Sequence, residues 1–567
     1  MRNHASHPRP SRPRCGVVLV AVLVVVAILM LVGYQFHRLM NAEHEATYAS
    51  NHVAQCRHLA DSGLHQTALL LSHPYLAGIS DAPDSAVVFP GAVYDNPALF
   101  HLQPVRSPHG GYPLGYFSVI ALRDPEDPLY GQVPRFGVED EGAKINVNAL
   151  LQLDRSGQRA REVLMKLPGV TESQVNSLLN WMRPAGSSTS DDSLYYASLG
   201  YAPKGGPYES LEEMLLVRDI TPRVLLGNDR NRNGILEPEE DDLSGFLDPG
   251  LMRYLTVYSR ELNVDAQGMP RIWVNNPDLV TLHEQLVAAV GEDLANFIVA
   301  YRLYPPPNNT VRFMTFAADG TNLTVAGEAA VRLSVSGNDL TVVQGEALSD
   351  YLIQLAQAQD VQVGELVQED LDFSRKPARN IGSLFELIDA SVQFTRPEER
   401  EPTRFLSPLQ RGDLDTLREV LPVVLDKLTT SQQRELTPRV NINTAPPEVI
   451  LAFPNLTEAD VQVILDLRPA PDSDLAQAPL YRTPAWLITE AGFEPSAVRQ
   501  FEPYFTTRSQ VFRVQVVGYY ERGGPVVRLE AVIDTNNGRP RFLYWRDLSE
   551  LGRGSNPRLF GGTVLLP

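Results

Sequence analysis

The sequence predicts an α+β protein with three parts: an N-terminal transmembrane helix, a small αβ body with antiparallel strands, and a large, mainly helical domain inserted into that body. Three observations predict it. Residues 16–33, GVVLVAVLVVVAILMLVG, form an uninterrupted apolar run. Strand-like segments lie near 116–147 and again near 511–546. The long interval between them carries helical patterns in three copies of one unit.

The apolar run is just long enough to span a bilayer as a helix. Arg2, Arg9, Arg12 and Arg14 precede it and no acid occurs before Glu43, so the N-terminus is expected in the cytoplasm. The run is longer than a usual signal-peptide core, and no small-x-small cleavage site follows it. Ala42, Ala46, Ala49, Val53, Cys56, Ala60, Gly63 and Thr67 continue a helical stripe of small residues to about Leu71, and Pro74 stops it. The helix is therefore expected to run on past the membrane to residue 74.

Composition narrows the function of the rest. The chain of 567 residues has a formal charge of −19, and with the early arginines set aside its body is more acidic still. Such a body repels phosphate backbones, so no nucleic-acid partner is expected. The only cysteines are Cys15 and Cys56, and only His101, His109 and His283 lie beyond residue 73. Disulfide scaffolds and Cys-based zinc sites are thereby excluded from the body, and a His-rich metal centre is hard to build there.

Residues 75–147 hold the first body strands, expected at Tyr116–Leu122 and Pro134–Val138. Then GVEDEGAKINVNALLQL, RIWVNNPDLVTL and RVNINTAPPEVILAF each read as a strand-like pair, an Asn, and a helix start. Asn148, Asn275 and Asn443 are expected to cap those helices. Each copy runs on into a helical hairpin ending in an arginine, Arg183, Arg302 or Arg468. The helical domain is divided into 148–304 and 349–505 by a strand-bearing insertion at 305–348. Residues 184–196 read as a loop, and 350–430 as mostly helical. Residues 506–567 return to strands. Phe512, Val514 and Val516 alternate with Arg513 and Gln515, and Gly523-Gly524 and Asn537-Gly538 supply turns.

One stretch carries specific chemistry. NDRNRNGILEPEEDD at 228–242 has the spacing of an EF-hand-type calcium loop. Asp229, Asn231 and Asn233 take positions one, three and five, and Gly234 permits the sharp turn. Ile235 offers a backbone carbonyl, Glu237 a carboxylate acting through water, and Glu240 the bidentate twelfth ligand. Calcium requires six to eight hard oxygens, and this spacing wraps them round one ion. Without long flanking helices, a single structural Ca2+ is expected. No GxSxG, GxxxxGK[ST] or HExxH occurs, and the acidic run Glu139-Asp140-Glu141 reads as surface charge, so the chain is not expected to be an enzyme.

Arg14-Cys15-Gly16 before Val17 resembles a type IV prepilin start. That likeness implies a short basic leader at 1–16, cut between Gly16 and Val17 by a prepilin peptidase, and a stem at 17–74 that keeps the apolar helix. Pilin-like subunits mostly carry Glu at the fifth mature position, where this chain has Ala21. The stretches RCGVVLVAVLVVVA, RFGVEDEGAKINVNAL and RVNINTAPPEVILAFPNLTEADVQVILDLRP together resemble the general secretion pathway protein K family, the minor pseudopilins of type II secretion. The resemblance implies a pseudopilin stem and body, single-pass anchorage in the bacterial inner membrane and a periplasmic bulk. It implies a structural role at the pseudopilus tip, with other minor pseudopilins and the inner-membrane assembly platform as partners. The third repeat also resembles the helix-hairpin-helix of competence-type DNA receptors, which makes a membrane-anchored uptake receptor the alternative. Against it, Pro168-Gly169-Val170-Thr171 and Pro454-Asn455-Leu456-Thr457 lack the Gly-hydrophobic-Gly hairpin that approaches a phosphate.

Overall fold

A computed structural model describes residues 15–72, 93–106, 113–154, 156–183, 190–304, 314–316, 322–324, 333–336, 339–342, 363–396, 399, 401–471, 473–520, 523–536 and 538–554. The protein is α+β. Helix α1, Cys15–Leu71, is continuous over 57 residues, or about 86 Å at 1.5 Å per residue. The hydrocarbon core of a bilayer is only about 30 Å thick. The apolar half of α1 is long and apolar enough to cross a bilayer and is exposed on all sides. Gly16 and Val17 lie in its first turn.

From Cys56 upward α1 packs on a six-stranded antiparallel sheet. Its strands are β1 (Gln103–Val105), β2 (Gly115–Ile120), β3 (Glu139–Asp140), β4 (Val511–Tyr519), β5 (Val526–Asp534) and β6 (Arg541–Asp547). The order is β1-β2-β4-β5-β6, with β3 also paired to β4. In register, Val517 faces Ser118 and Phe512 faces Asp140. Strands from before and after the helical region, β2 and β3 against β4, are thus neighbours in one sheet, and the helical region is an insertion between them in the chain.

Small residues let helix and sheet approach closely. A Cβ on Gly63 would stand 2.6 Å from both the Phe117 ring and Val516 Cγ1, and one on Gly518 would meet the Cys56 carbonyl oxygen. The upper half of the small-residue stripe is therefore occupied by the protein's own sheet: Cys56, Ala60, Gly63 and Thr67 face inward. Ala42 to Val53 remain exposed.

The three expected repeats are present and close in the same way. Ile145–Asn146 pairs parallel with Leu255–Thr256, Ile272–Trp273 with Leu428–Thr429, and Val440–Asn441 with Phe505–Thr506. Each unit holds a helical hairpin: α2 (Gln158–Met165) with α3 (Glu172–Met182), α4 (Leu279–Val290) with α5 (Glu292–Leu303), and α6 (Pro447–Ala452) with α7 (Glu458–Leu467). The first and third hairpins turn at Gly169 and Asn455, with φ of 70° and 65°. Thr171 and Thr457 then open the second helix with capping boxes. Arg302 and Arg468 reach back to the carbonyls of Asn276 and Ala445 near the start of their units, the latter at 2.6 Å.

The expected N-caps need correction. Asn146 and Asp278 cap the helices, two before and three after the predicted positions, and Pro446 stands at the third start. Asn148, Asn275 and Asn443 instead clamp a later segment of their own unit. Asn148 Nδ2 donates to the Tyr208 carbonyl and Asn148 Oδ1 accepts the Tyr208 N–H, both at 2.9 Å. Asn275 makes the same pair with Ile381 at 2.9 and 2.8 Å, and Asn443 Nδ2 donates to the Tyr481 carbonyl at 2.8 Å. A side-chain amide matches one peptide unit in donors and acceptors, which a shorter capping residue does not.

Other boundaries shift for physical reasons. Pro134–Val138 is no strand. Pro134 has no N–H to give, and the segment keeps one bridge, Ala121 with Arg135. Residues 190–198 form a helix where a loop was expected, because Tyr196 is buried against Trp181. Within 363–413 there is a hairpin, Ser391–Phe394 with Thr403–Leu406, and no α-helix among the described residues. Helix follows only at Leu414–Lys427. Within the expected strand-bearing insertion, Met314–Phe316 pairs antiparallel with Asn322–Thr324, and Leu333–Ser336 with Asp339–Val342. Pro74 lies outside the described residues.

Candidate metal centre

The loop from Asp229 to Glu240 follows a helical turn, Pro222–Leu226, and is anchored by Asn228. Asn228 donates to the Phe246 carbonyl and accepts the Asp248 N–H at 2.7 Å. Asp229 is buried. Its Oδ1 accepts the Asn233 N–H at 3.0 Å and its Oδ2 the Gly234 N–H at 2.9 Å. These bonds need the chain to double back at once. Arg232 and Gly234 supply the turn with φ of 58° and 71°.

The other predicted residues bond within the same loop. Asn233 Oδ1 accepts the Ile235 N–H at 2.7 Å. Glu240 Oε1 accepts the N–H groups of Arg230 and Asn231 at 2.9 and 3.2 Å. Glu237 takes the amide nitrogens of Asn231 and Asn233 at 2.9 and 3.2 Å. Next to Ile235, the Leu236 N–H bonds the Gly131 carbonyl at 2.7 Å. The loop is thus braced by the 121–135 segment of the body, where a paired loop would stand in a sensor protein.

The donor set fits a hard cation. Asn231 Oδ1 and Glu240 Oε2 are buried and have no protein hydrogen-bond partner. These are positions three and twelve of the calcium pattern, and both are acceptors. Burial pushes the Asp229, Glu237 and Glu240 carboxyls above the usual carboxylate range, and the neighbouring acids Glu240 and Asp229 add to it for Glu237 and Glu240. Among the described residues no three His, Cys, Asp or Glu side chains converge to hold a metal by themselves. The two unpartnered acceptors are an amide and a carboxylate oxygen, the mixture that calcium sites use.

Beneath the loop lies a buried ionic layer that sequence reading missed. The Glu139-Asp140-Glu141 run, expected at the surface, is turned inward. Glu141 is fully buried and Asp140 is 5% exposed. Arg513 of β4 donates to Glu141 at 2.5 Å and to Glu530 of β5 at 3.0 Å. Lys144 pairs with Glu139 at 3.1 Å and Glu141 at 3.4 Å. Burial would raise the Glu139 carboxyl, but Lys144, Arg513 and Arg135 outweigh it and bring it down to about 2. Arg528 of β5 is 1% exposed, and burial lowers it to about 10 against the pull of Asp229. The signal available in the sequence was charge inside strand interiors, at Arg513, Arg528 and Glu530.

Set against known proteins, the chain matches no family model, no curated protein and no solved structure.

Proposed function

We propose that this protein is a membrane-anchored structural subunit of a type II secretion apparatus, a minor pseudopilin of the K type acting at the pseudopilus tip by assembly and not by turnover. The observation that carries it is the pairing of β2 with β4 across the whole helical insertion, in a small sheet seated on one continuous stem helix. The basic leader ending at Gly16, the exposed apolar half of α1 and Ala21 in place of the usual Glu support the same reading. A subunit with nothing stacked above it has no partner for that Glu, and an unpaired carboxylate in hydrocarbon is costly. The inserted domain also suits a terminal place, because its bulk would collide with subunits stacked on it. In this reading the N-terminus is cytoplasmic, the bulk periplasmic, and the partners are other minor pseudopilins, the assembly platform and the prepilin peptidase.

N-terminal sequencing of the mature protein tests the reading. A new N-terminus at Val17, lost in Gly16→Glu, is expected; an intact chain or a cut near residue 34 defeats it. The loop 229–240 is proposed to hold one structural Ca2+ through Asp229, Asn231, Asn233, Ile235, Glu237 and Glu240. Calcium at a hundredfold excess over Kd adds about 2.7 kcal/mol, so chelator lowers Tm by several degrees, and Asp229→Ala with Glu240→Ala abolishes the difference.

A further inference from the structure

Arg232 holds the fourth place of the loop, between Asn231 and Asn233, and the calcium pattern gives it no ligand role. Its contacts run to the sheet and to the first helical unit. Its carbonyl accepts Gln515 Nε2 of β4 at 3.0 Å and Arg528 Nη2 of β5 at 2.7 Å. Its guanidinium donates to Glu530 of β5 at 2.6 Å and to Glu212 of the helical region at 3.3 Å. Glu212 in turn takes Tyr544 and Arg546 of β6 at 2.8 and 3.1 Å. One residue therefore joins the loop to two strands, and through Glu212 to a third. It does so from a left-handed backbone conformation that residues with a side chain rarely adopt. That conformation persists only while the loop on either side dictates it. The loop by itself leaves that control incomplete, since Asn231 Oδ1 and Glu240 Oε2 lack partners among protein atoms.

We infer that the loop is a clasp between the helical insertion and the sheet, with Arg232 as the positioning residue that couples cation binding to sheet docking. The inference rests on the calcium reading of the loop. A cation held by Asn231 and Asn233 fixes Arg232 between them, and so fixes its four bonds to Gln515, Arg528, Glu530 and Glu212. Coupling between two equilibria is reciprocal, so a docked sheet tightens the site for its cation. The region where the insertion leaves and rejoins the body needs such a tie. The strand residues there, Arg528 and Glu530, meet the insertion through directional charged contacts with Arg232, which a small displacement breaks.

The test uses the full-length protein in detergent, with calcium as the probe. Calorimetry gives affinity, and hydrogen exchange read by mass spectrometry compares calcium with chelator over 229–240 and over 511–534. In the wild type, calcium is expected to slow exchange in both segments. Arg232→Ala is expected to bind calcium about tenfold more weakly and to slow exchange in the loop alone. Gln515→Ala removes one of the four bonds with little risk to folding and is expected to weaken binding by about two- to threefold. Calcium binding that leaves exchange over 511–534 unchanged in the wild type overturns the clasp and leaves the calcium loop standing. Equal affinity in the wild type and both variants overturns the role of Arg232. Absence of calcium binding overturns the calcium reading itself, and the clasp with it.

Discussion

The two faces of the sheet are both buried, by opposite means. On one face Val514, Val516, Leu529 and Ala531 meet α1, and contact is apolar and close enough that Gly63 and Gly518 have no room for a Cβ. On the other face Arg513, Arg528 and Glu530 meet the acidic 139–141 run and the 229–240 loop. The difference teaches where stability and specificity come from. The apolar face gains free energy from area removed from water and tolerates small slips. The charged face offsets a large desolvation cost only when every pair is in place. It therefore fixes one orientation of the insertion on the body.

The sharpest way to break the contrast is to remove one charge. Arg513→Met leaves Glu141 and Glu530 buried beside each other and is expected to cost about 3–5 kcal/mol, read from chemical denaturation. Replacing Glu141 by Gln in the same chain should recover part of the loss, because Lys144 keeps Glu139 and Glu530 keeps Arg232. If the single variant is neutral, the ionic layer contributes nothing to folding.

On the apolar face Gly63→Val is expected to cost about 3 kcal/mol, the upper end for overpacking, because both blocking groups, Phe117 and Val516, are themselves buried. A Tm within a degree of wild type would show that helix and sheet slide apart freely.

Acid should separate the faces. The Glu139 carboxyl lies at about 2 when folded, below its ordinary 4.5. A depressed carboxyl contributes stability that is present above pH 4.5 and lost as pH falls through about 2. Glu141 and Glu212 are lowered in the same sense, while burial raises Asp140 and opposes them. Denaturation at pH 7 and pH 2.5 should show Glu139→Gln less stable than wild type by about 2 kcal/mol at pH 7, with the gap mostly closed in acid. A gap that persists in acid would assign the loss to packing.

The smallest effect is expected at the rim. Arg57 of α1 pairs with Asp547 of β6 at 3.4 Å and lies over Trp545, but it is half exposed. Arg57→Ala should change stability by less than about 1 kcal/mol. A larger loss would mean that the charged style of contact extends round to the α1 face.

The sequence by itself determined what depends on local spacing. The apolar run gave the stem, the alternation at 511–534 gave the long strands, and the residue order from Asp229 to Glu240 gave a tight loop closed by its own side chains. The three repeats were visible because each begins with the same strand and Asn. Only the tertiary structure decided what those asparagines hold, since Tyr208, Ile381 and Tyr481 lie far along the chain from Asn148, Asn275 and Asn443. It also decided that Arg513 and Gln515 point into protein. Alternation marks two different faces of a strand, but solvent and a second layer look alike from the polar side until the insertion is folded over it. The acidic run at 139–141 was misplaced for the same reason: a charge reads as exposed until its partner, here Arg513 at the far end of the chain, is brought against it.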